Sequence, residues 1–144
     1  MIHDKQVFLE DGLKLCILTG SYLYPESNIP AFHDYFYMSG FGGYCLHHVD
    51  NMGKRNPQAG RHMTTQAKND IFTLYAAYVN SHAMYENHLE ILEEIKDIGD
   101  PKNMGEYDLF AAGGMAMLGG ELLNTTFVDE EETELDLYDY FQGY

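Results

Sequence analysis

The feature that most constrains the fold is a long stretch without helix breakers: residues 64–98 contain neither Gly nor Pro. Apolar residues recur there at three- and four-residue intervals, which places them on one face of an α-helix. Thr64 or Thr65 is a suitable N-cap, and Gly99 with Pro101 is a suitable stop. The sequence predicts one long amphipathic helix, or two consecutive helices with a break near residues 80–87. The residues expected in its core are Leu74, Tyr78, Leu92 and Ile95.

Shorter segments on either side predict a small sheet. Residues 13–19 alternate in part and are rich in branched side chains, and residues 44–49 follow a glycine turn, so both are typical of strands. Residues 107–128 are apolar but rich in glycine, which predicts either a closely packed short helix or strands around bulges. The fold expected is one α+β domain over residues 1–128, with a small antiparallel sheet packed against the helical stretch at about 64–98.

The charge of the chain is distributed unevenly. The 144 residues carry a formal net charge of −15, with 23 acidic and 8 basic residues. Residues 1–102 hold 13 of the acidic and all 8 basic residues, whereas residues 103–144 hold 10 acidic and no basic ones. Such a balance argues against a general nucleic-acid binder, which must displace counterions from phosphate, and against binding to an anionic membrane. Residues 129–144 form a separate acidic segment that contains aromatic residues.

Two arrays of carboxylates predict binding to a basic partner. One lies on the polar side of the long helix, and the other, threaded with aromatic residues that could act as buried anchors, lies in the C-terminal segment. The partner expected is the basic surface of a nucleic-acid-handling protein, and carboxylates at roughly phosphate-like spacing would act as a DNA mimic. The predicted partner-binding residues are Glu86, Glu90, Glu93, Glu94, Asp97, Asp129, Glu130, Glu131, Glu132, Glu134, Asp136, Tyr138, Asp139, Tyr140 and Phe141.

Several segments resemble the ArdB/KlcA antirestriction proteins. Residues 63–67 and 73–76 are similar to the beginning and continuation of that family's long helix. Residues 108–112 resemble its closing strand, and residues 42–44 resemble its Gly-Gly-Tyr turn. The match lies within residues 42–112, and the length of the chain also fits.

The resemblance implies a small protein of a phage or mobile element that blocks a host restriction or CRISPR complex by binding it. The chain departs from the family at several points. The family's Trp is Cys45 here, its glycine-rich hairpin is shorter, and its closing Ile-Asp is replaced by Gly113 and Gly114. The acidic C-terminal segment is additional.

A second hypothesis is a metal-dependent phosphodiesterase or HNH-like nuclease. His47, His48 and Asp50 resemble the opening of a ββα-metal motif, and His62 would complete the set. Neighbouring side chains on a strand point to opposite faces, so one of the two adjacent histidines at most could join a given site. The strong negative charge also opposes phosphate binding. The sequence therefore favours a non-enzymatic protein without a cofactor or a metal.

A third hypothesis is an oligomeric structural or assembly protein whose Tyr, Phe and Met side chains form the interface. The N-terminal residues show no signal-peptide pattern, and no apolar run is long enough to span a membrane, which predicts a cytoplasmic protein in the host cell. Cys16 and Cys45 belong to no CxxC motif and are expected to be buried thiols rather than a disulfide.

Overall fold

A computed structural model of the protein describes the backbone of residues 4–141 and the side chains of residues 4–124. It is mostly helical (64%). The helices are α1 (Lys5–Thr19), α2 (Ala31–Met38), α3 (Thr65–Ser81), α4 (Leu89–Asp97) and α5 (Asp108–Phe141), with short 3-10 turns at Gly42–Tyr44, Ala83–Tyr85 and Pro101–Glu106.

The predicted antiparallel sheet is wrong, and with it the α+β class, because no strand occurs among the described residues. The segment expected as a strand at 44–49 is extended but makes only isolated bridges, such as Leu23 with Cys45 and His47 with Gly60. Turns at Gly53 and Gly60, whose φ angles are +76° and +79°, interrupt the chain before a ladder can form. A Cβ atom at Gly60 would collide with the carbonyl of Pro25, so the close approach of these two backbone segments requires glycine.

The other strand expected in the first half, residues 13–19, is the second half of α1. Asp4 caps this helix by accepting a hydrogen bond from the Gln6 N–H (2.8 Å). Its buried residues follow a helical spacing that begins before residue 13, and the short alternating pattern concealed this longer period. The buried residues of α1 are Leu9, Leu13 and Cys16.

The helical stretch is confirmed in its two-helix form. The Thr64 hydroxyl accepts a hydrogen bond from the Ala67 N–H (3.2 Å), so Thr64 is the cap of α3 and Thr65 is its first residue. The turn at Ala83–Tyr85 separates α3 from α4, within the break expected at residues 80–87. After α4 the chain turns at Gly99, whose φ angle is +57°.

The core of α3 is displaced from the predicted positions. Ile71 and Tyr75 are buried, whereas Leu74, Tyr78 and Ile95 are partly buried against them. Leu92 is half-buried. The larger core cluster joins α3 to α5 and to the turn that precedes it. Its members are Tyr24, Ile71, Tyr75, Ile98, Met104, Phe110, Met115 and Leu118.

A smaller core cluster holds the N-terminal part of the chain together. Leu13 and Cys16 of α1 pack with Phe36 of α2, and Cys45 and Ala59 complete the cluster. Both cysteines are buried free thiols, as expected. Burial raises the pKa of the Cys45 thiol to about 11, which makes it a weak nucleophile.

The glycine-rich stretch belongs to α5, so the strand alternative for residues 107–128 and the strand resemblance at 108–112 are both wrong. Glycine is used here for close packing: a Cβ atom at Gly113 would meet the Tyr75 hydroxyl, and one at Gly114 would meet Ile71. At Gly119 it would lie 3.0 Å from the Cβ of Tyr24. The helix runs through the position between residues 128 and 129, and the domain boundary placed there stays a prediction.

Two glycines of α5 allow a matched test of this packing. Gly114→Ala should lower the free energy of unfolding, because the clash with Ile71 outweighs the gain of about 1 kcal/mol that alanine brings to a helix interior. Gly120→Ala, where nothing lies within 4 Å, should raise it by about 0.5–1 kcal/mol. Urea denaturation measures both, and equal stabilisation by the two substitutions would contradict the close approach of α3 and α5.

Candidate partner-binding surface

Three carboxylates lie exposed on one side of α4. Glu90, Glu93 and Asp97 follow one another at three- and four-residue spacing and therefore share a helix face. The opposite side of α4 packs inward, since Ile98 is buried and Ile95 contacts the larger core cluster. The predicted carboxylate array is therefore exposed at these three positions, which we call the α4 acidic face.

Glu94 has a structural role. Its Oε2 atom accepts a hydrogen bond from the Phe110 N–H (2.7 Å), which is one of the free N–H groups in the first turn of α5. A carboxylate at this position also interacts favourably with the helix dipole. Nearby, the Tyr107 hydroxyl donates to the Asp97 carbonyl (3.2 Å), so the end of α4 and the start of α5 are joined twice.

Glu86 is also engaged within the protein. The Tyr78 hydroxyl donates to Glu86 Oε2 (2.6 Å), and the His88 N–H donates to Oε1 (2.9 Å). The hydrogen bond from Tyr78, followed by that from His88, holds the pKa of the Glu86 carboxyl below its usual value. Of the five helix carboxylates predicted to bind a partner, Glu86 and Glu94 thus stabilise the fold around α4.

No lysine or arginine forms an ion pair with the α4 acidic face among the side chains that the structure describes. The ion pairs within residues 4–124 lie elsewhere: they join Lys14 to Glu10 and Asp11, and Arg61 to Asp70. The carboxylates of the α4 acidic face therefore keep their charge unpaired and are available to an external cation. Their solvent exposure also means that this charge is screened by salt.

The predicted residues of the C-terminal segment belong to the last part of α5. The backbone is helical through Phe141. The side chains of these residues lie outside the described part of the chain, so their role stays a prediction. The residues concerned are Asp129, Glu130, Glu131, Glu132, Glu134, Asp136, Tyr138, Asp139, Tyr140 and Phe141.

The adjacent histidines of the nuclease hypothesis face different surroundings, as the sequence predicted. The Nε2 atom of His47 lies 2.8 Å from the Tyr37 hydroxyl, whereas the Nδ1 atom of His48 lies 3.2 Å from the Tyr24 hydroxyl. Burial lowers the pKa of both histidines. Each imidazole is therefore held in a separate hydrogen-bonded pair.

The hydrogen bonds of His47 define its tautomer. A backbone carbonyl can only accept, so Nδ1 donates its proton to the Asn56 oxygen (2.8 Å). With the pKa lowered by burial, the ring is neutral at pH 7, and Nε2 accepts a hydrogen bond from Tyr37. Both nitrogens are thereby occupied, which leaves no lone pair for a metal ion.

The remaining nuclease residues do not join His47. The Asp50 Oδ1 atom accepts hydrogen bonds from the Met52 and Lys54 N–H groups (2.9 Å each), which lower the pKa of its carboxyl, and His62 is exposed. Within residues 4–124, no three His, Cys, Asp or Glu side chains are placed to hold a metal ion.

The sequence did not reveal the internal contacts of Glu86 and Glu94. A tyrosine eight residues before Glu86 has no helical relation to it, because the chain leaves α3 between them. Glu94 precedes Phe110 by 16 residues, and the signal that could have found it is the lack of a side-chain cap just before α5, where Tyr107 stands at the N-cap position.

Comparisons with known proteins add no relative: no family model, no characterised protein and no solved structure matches the chain. The resemblance to the antirestriction proteins therefore stays a prediction. No helix in the described ranges combines the length and apolarity of a membrane span.

Two neighbouring glutamates test whether Glu94 stabilises the fold while Glu93 does not. Glu94→Ala should lower the free energy of unfolding by about 0.5–2 kcal/mol, as loss of a capping side chain does. Glu93→Ala should leave it nearly unchanged, because Glu93 is exposed and alanine favours the helix. Chemical denaturation monitored by circular dichroism compares the two, and an equal loss would show that Glu94 does not cap α5.

The contact between Tyr78 and Glu86 predicts a pH effect. Because the folded-state pKa of Glu86 is lowered, its stabilising contribution is present above its unfolded pKa and is lost as the pH falls through the folded one. Tyr78→Phe should raise the pKa of Glu86 towards its usual value in an NMR titration of the side-chain carboxyl. Tyr85→Phe, an exposed tyrosine in the intervening turn, is the control and should leave it unchanged. Unaltered titration in Tyr78→Phe would exclude this hydrogen bond as the cause.

Proposed function

We propose that this protein is a non-enzymatic inhibitor that binds the basic surface of a nucleic-acid-handling complex, such as a restriction or CRISPR complex, in the cytoplasm of a host cell. The observation that carries the proposal is the α4 acidic face. Its three exposed carboxylates, Glu90, Glu93 and Asp97, form no ion pair with any described side chain, although Lys96 lies on the same helix. A regular helix presents them at fixed spacing, which is the property that competition with a phosphate backbone would use.

The overall charge supports the same partner. A net charge of −15 on 144 residues creates a negative potential that accelerates encounter with a basic surface and repels nucleic acid. The seven acidic residues of the C-terminal segment extend the charge along α5, and the aromatic residues Tyr138, Tyr140 and Phe141 offer apolar contacts of the kind that dominate interface energies. Binding driven by such charge is fast and weakens as salt rises.

The histidine pattern offers less support for a nuclease. Both ring nitrogens of His47 are engaged within the protein, and the hydrogen bonds of Asp50 go to its own turn. A water-activating histidine would need a free nitrogen directed at the reacting atom. Inhibition by binding needs no such group, and it also fits the antirestriction proteins that the sequence resembles.

The direct test is protection of DNA in cells. Cells with an active restriction or CRISPR system are challenged with unmodified or targeted plasmid, with and without the protein, and transformation is counted. The expected result is that the protein raises transformation. A double substitution on the α4 acidic face, Glu93→Gln with Asp97→Asn, should reduce that protection. The control, Asp34→Asn with Glu106→Gln, removes the same charge from exposed residues outside α4 and should retain it.

A third set of substitutions distinguishes the C-terminal segment from the α4 acidic face. Glu130→Gln, Glu131→Gln and Glu132→Gln together should also reduce protection if the C-terminal segment contacts the partner. With a purified complex, binding of the unmodified protein should weaken steeply with salt, and both sets of substitutions should make that dependence shallower. A protein that protects no such system, or whose protection is indifferent to all of these carboxylates, would rule out the proposal.

A further inference from the structure

Helix α1 carries apolar residues on the side opposite its buried face as well as on the buried face. Leu9, Leu13 and Cys16 are buried, and the last two belong to the smaller core cluster. On the far side, Val7 and Leu18 expose 46% and 84% of their surface. Large apolar side chains that stay exposed beside one another are typical of contact surfaces, so the outer side of α1 has that character.

The outer side of α1 has a regular pattern. Val7, Asp11, Lys14 and Leu18 follow one another at intervals of four, three and four residues. On an ideal helix they fall within an arc of about 60°. Leu15, which exposes 60% of its surface, flanks this stripe. Three- and four-residue intervals are the spacing with which one helix packs along another.

The charges of α1 balance one another, unlike those of the chain as a whole. The helix contains two lysines and two acidic residues. Lys14 Nζ lies 2.9 Å from Glu10 Oε1 and 3.6 Å from Asp11 Oδ1. Two copies that meet at α1 therefore bring together helices of zero net charge, so the helices themselves add no repulsion.

We propose that the outer side of α1 is a homodimer interface, in which α1 packs antiparallel against α1 of a second copy. The stripe is complementary to itself when the two-fold axis crosses the outer side of α1 at the level midway between Gly12 and Leu13 along the helix. Val7 then lies opposite Leu18 of the second copy, and Asp11 lies opposite Lys14 of the second copy. The two-fold axis repeats both contacts, which is the requirement for an isologous interface.

The charged pair selects the register of this dimer. Sliding one helix by a turn would separate Asp11 of one copy from Lys14 of the other and lose the attraction between them, so this charged pair favours one register. A polar layer in an otherwise apolar seam specifies orientation in the same way in coiled coils. The flanking apolar residues supply the attraction, and the pair of opposite charges supplies the specificity.

Charge reversal tests the proposal through complementation. Sedimentation equilibrium of the full-length protein should show a monomer–dimer equilibrium. Asp11→Lys alone places lysine opposite Lys14, and Lys14→Glu alone places glutamate opposite Asp11, so each variant should dimerise at least about tenfold more weakly. Mixing the two variants aligns an opposite-charge pair at both positions, and a heterodimer should form with affinity near that of the unmodified protein. Damage to the monomer could not produce this recovery.

An apolar substitution pair gives an independent measurement. Leu18→Glu should abolish the dimer, whereas Met52→Glu, at a loop residue that is 87% exposed, should leave it intact. Raising the salt concentration should strengthen dimerisation, because it screens the repulsion between two copies of net charge −15. A protein that stays monomeric at all concentrations, or a mixture of the charge variants that does not associate, would overturn the proposal.

Discussion

The arrangement of the described residues depends on the close contact between α3 and α5. The rings of Tyr75 and Phe110 stack with centroids 4.0 Å apart, and the Tyr75 hydroxyl donates to the Phe110 carbonyl (3.0 Å). This contact is possible because α5 presents Gly113 and Gly114 to α3, where larger residues would collide. A tyrosine buried with its hydroxyl satisfied adds orientation to apolar packing. Helix α4 packs against the same core cluster, and this packing sets the orientation of its acidic face.

Carboxylates serve two purposes in this protein, and surface charge alone does not separate them. Glu94 satisfies an N–H group at the start of α5, and Glu86 accepts from a tyrosine and from the backbone. These contacts replace water around the two carboxylates, so their charge helps to fix α4 in place. The neighbouring Glu90, Glu93 and Asp97 remain hydrated, and a basic partner would exchange that water for ion pairs. Internal carboxylates thus lie just before α4 and within it, next to the exposed ones, which links the orientation of the acidic face to the stability of its support.

The sequence predicted the elements whose signals are local and missed those decided by tertiary contact. The apolar periodicity of residues 64–98, without glycine or proline, was sufficient to predict helix there, while the choice between one helix and two stayed open. Residues 13–19 were misread because seven residues cannot distinguish a strand from the end of a helix. The glycines of α5 count against a helix by propensity, and the partners Ile71 and Tyr75 that make them favourable are more than thirty residues away. The three exposed carboxylates on α4 were predictable from helical periodicity. The contacts of Glu86 and Glu94 could be found only from the three-dimensional structure.

The two proposed surfaces belong to different parts of the structure, and one is neutral whereas the other is acidic. Helix α1 packs on the cluster around Phe36, whereas α4 packs on the cluster around Phe110, so one surface can be occupied without rearranging the other. A two-fold dimer through α1 would carry two copies of the α4 acidic face in a fixed relation. Two such faces on one particle raise the effective concentration of the second contact once the first has formed, provided the partner's basic surface spans both. Self-association at a neutral helix would in this way increase the affinity of an acidic surface that it does not touch.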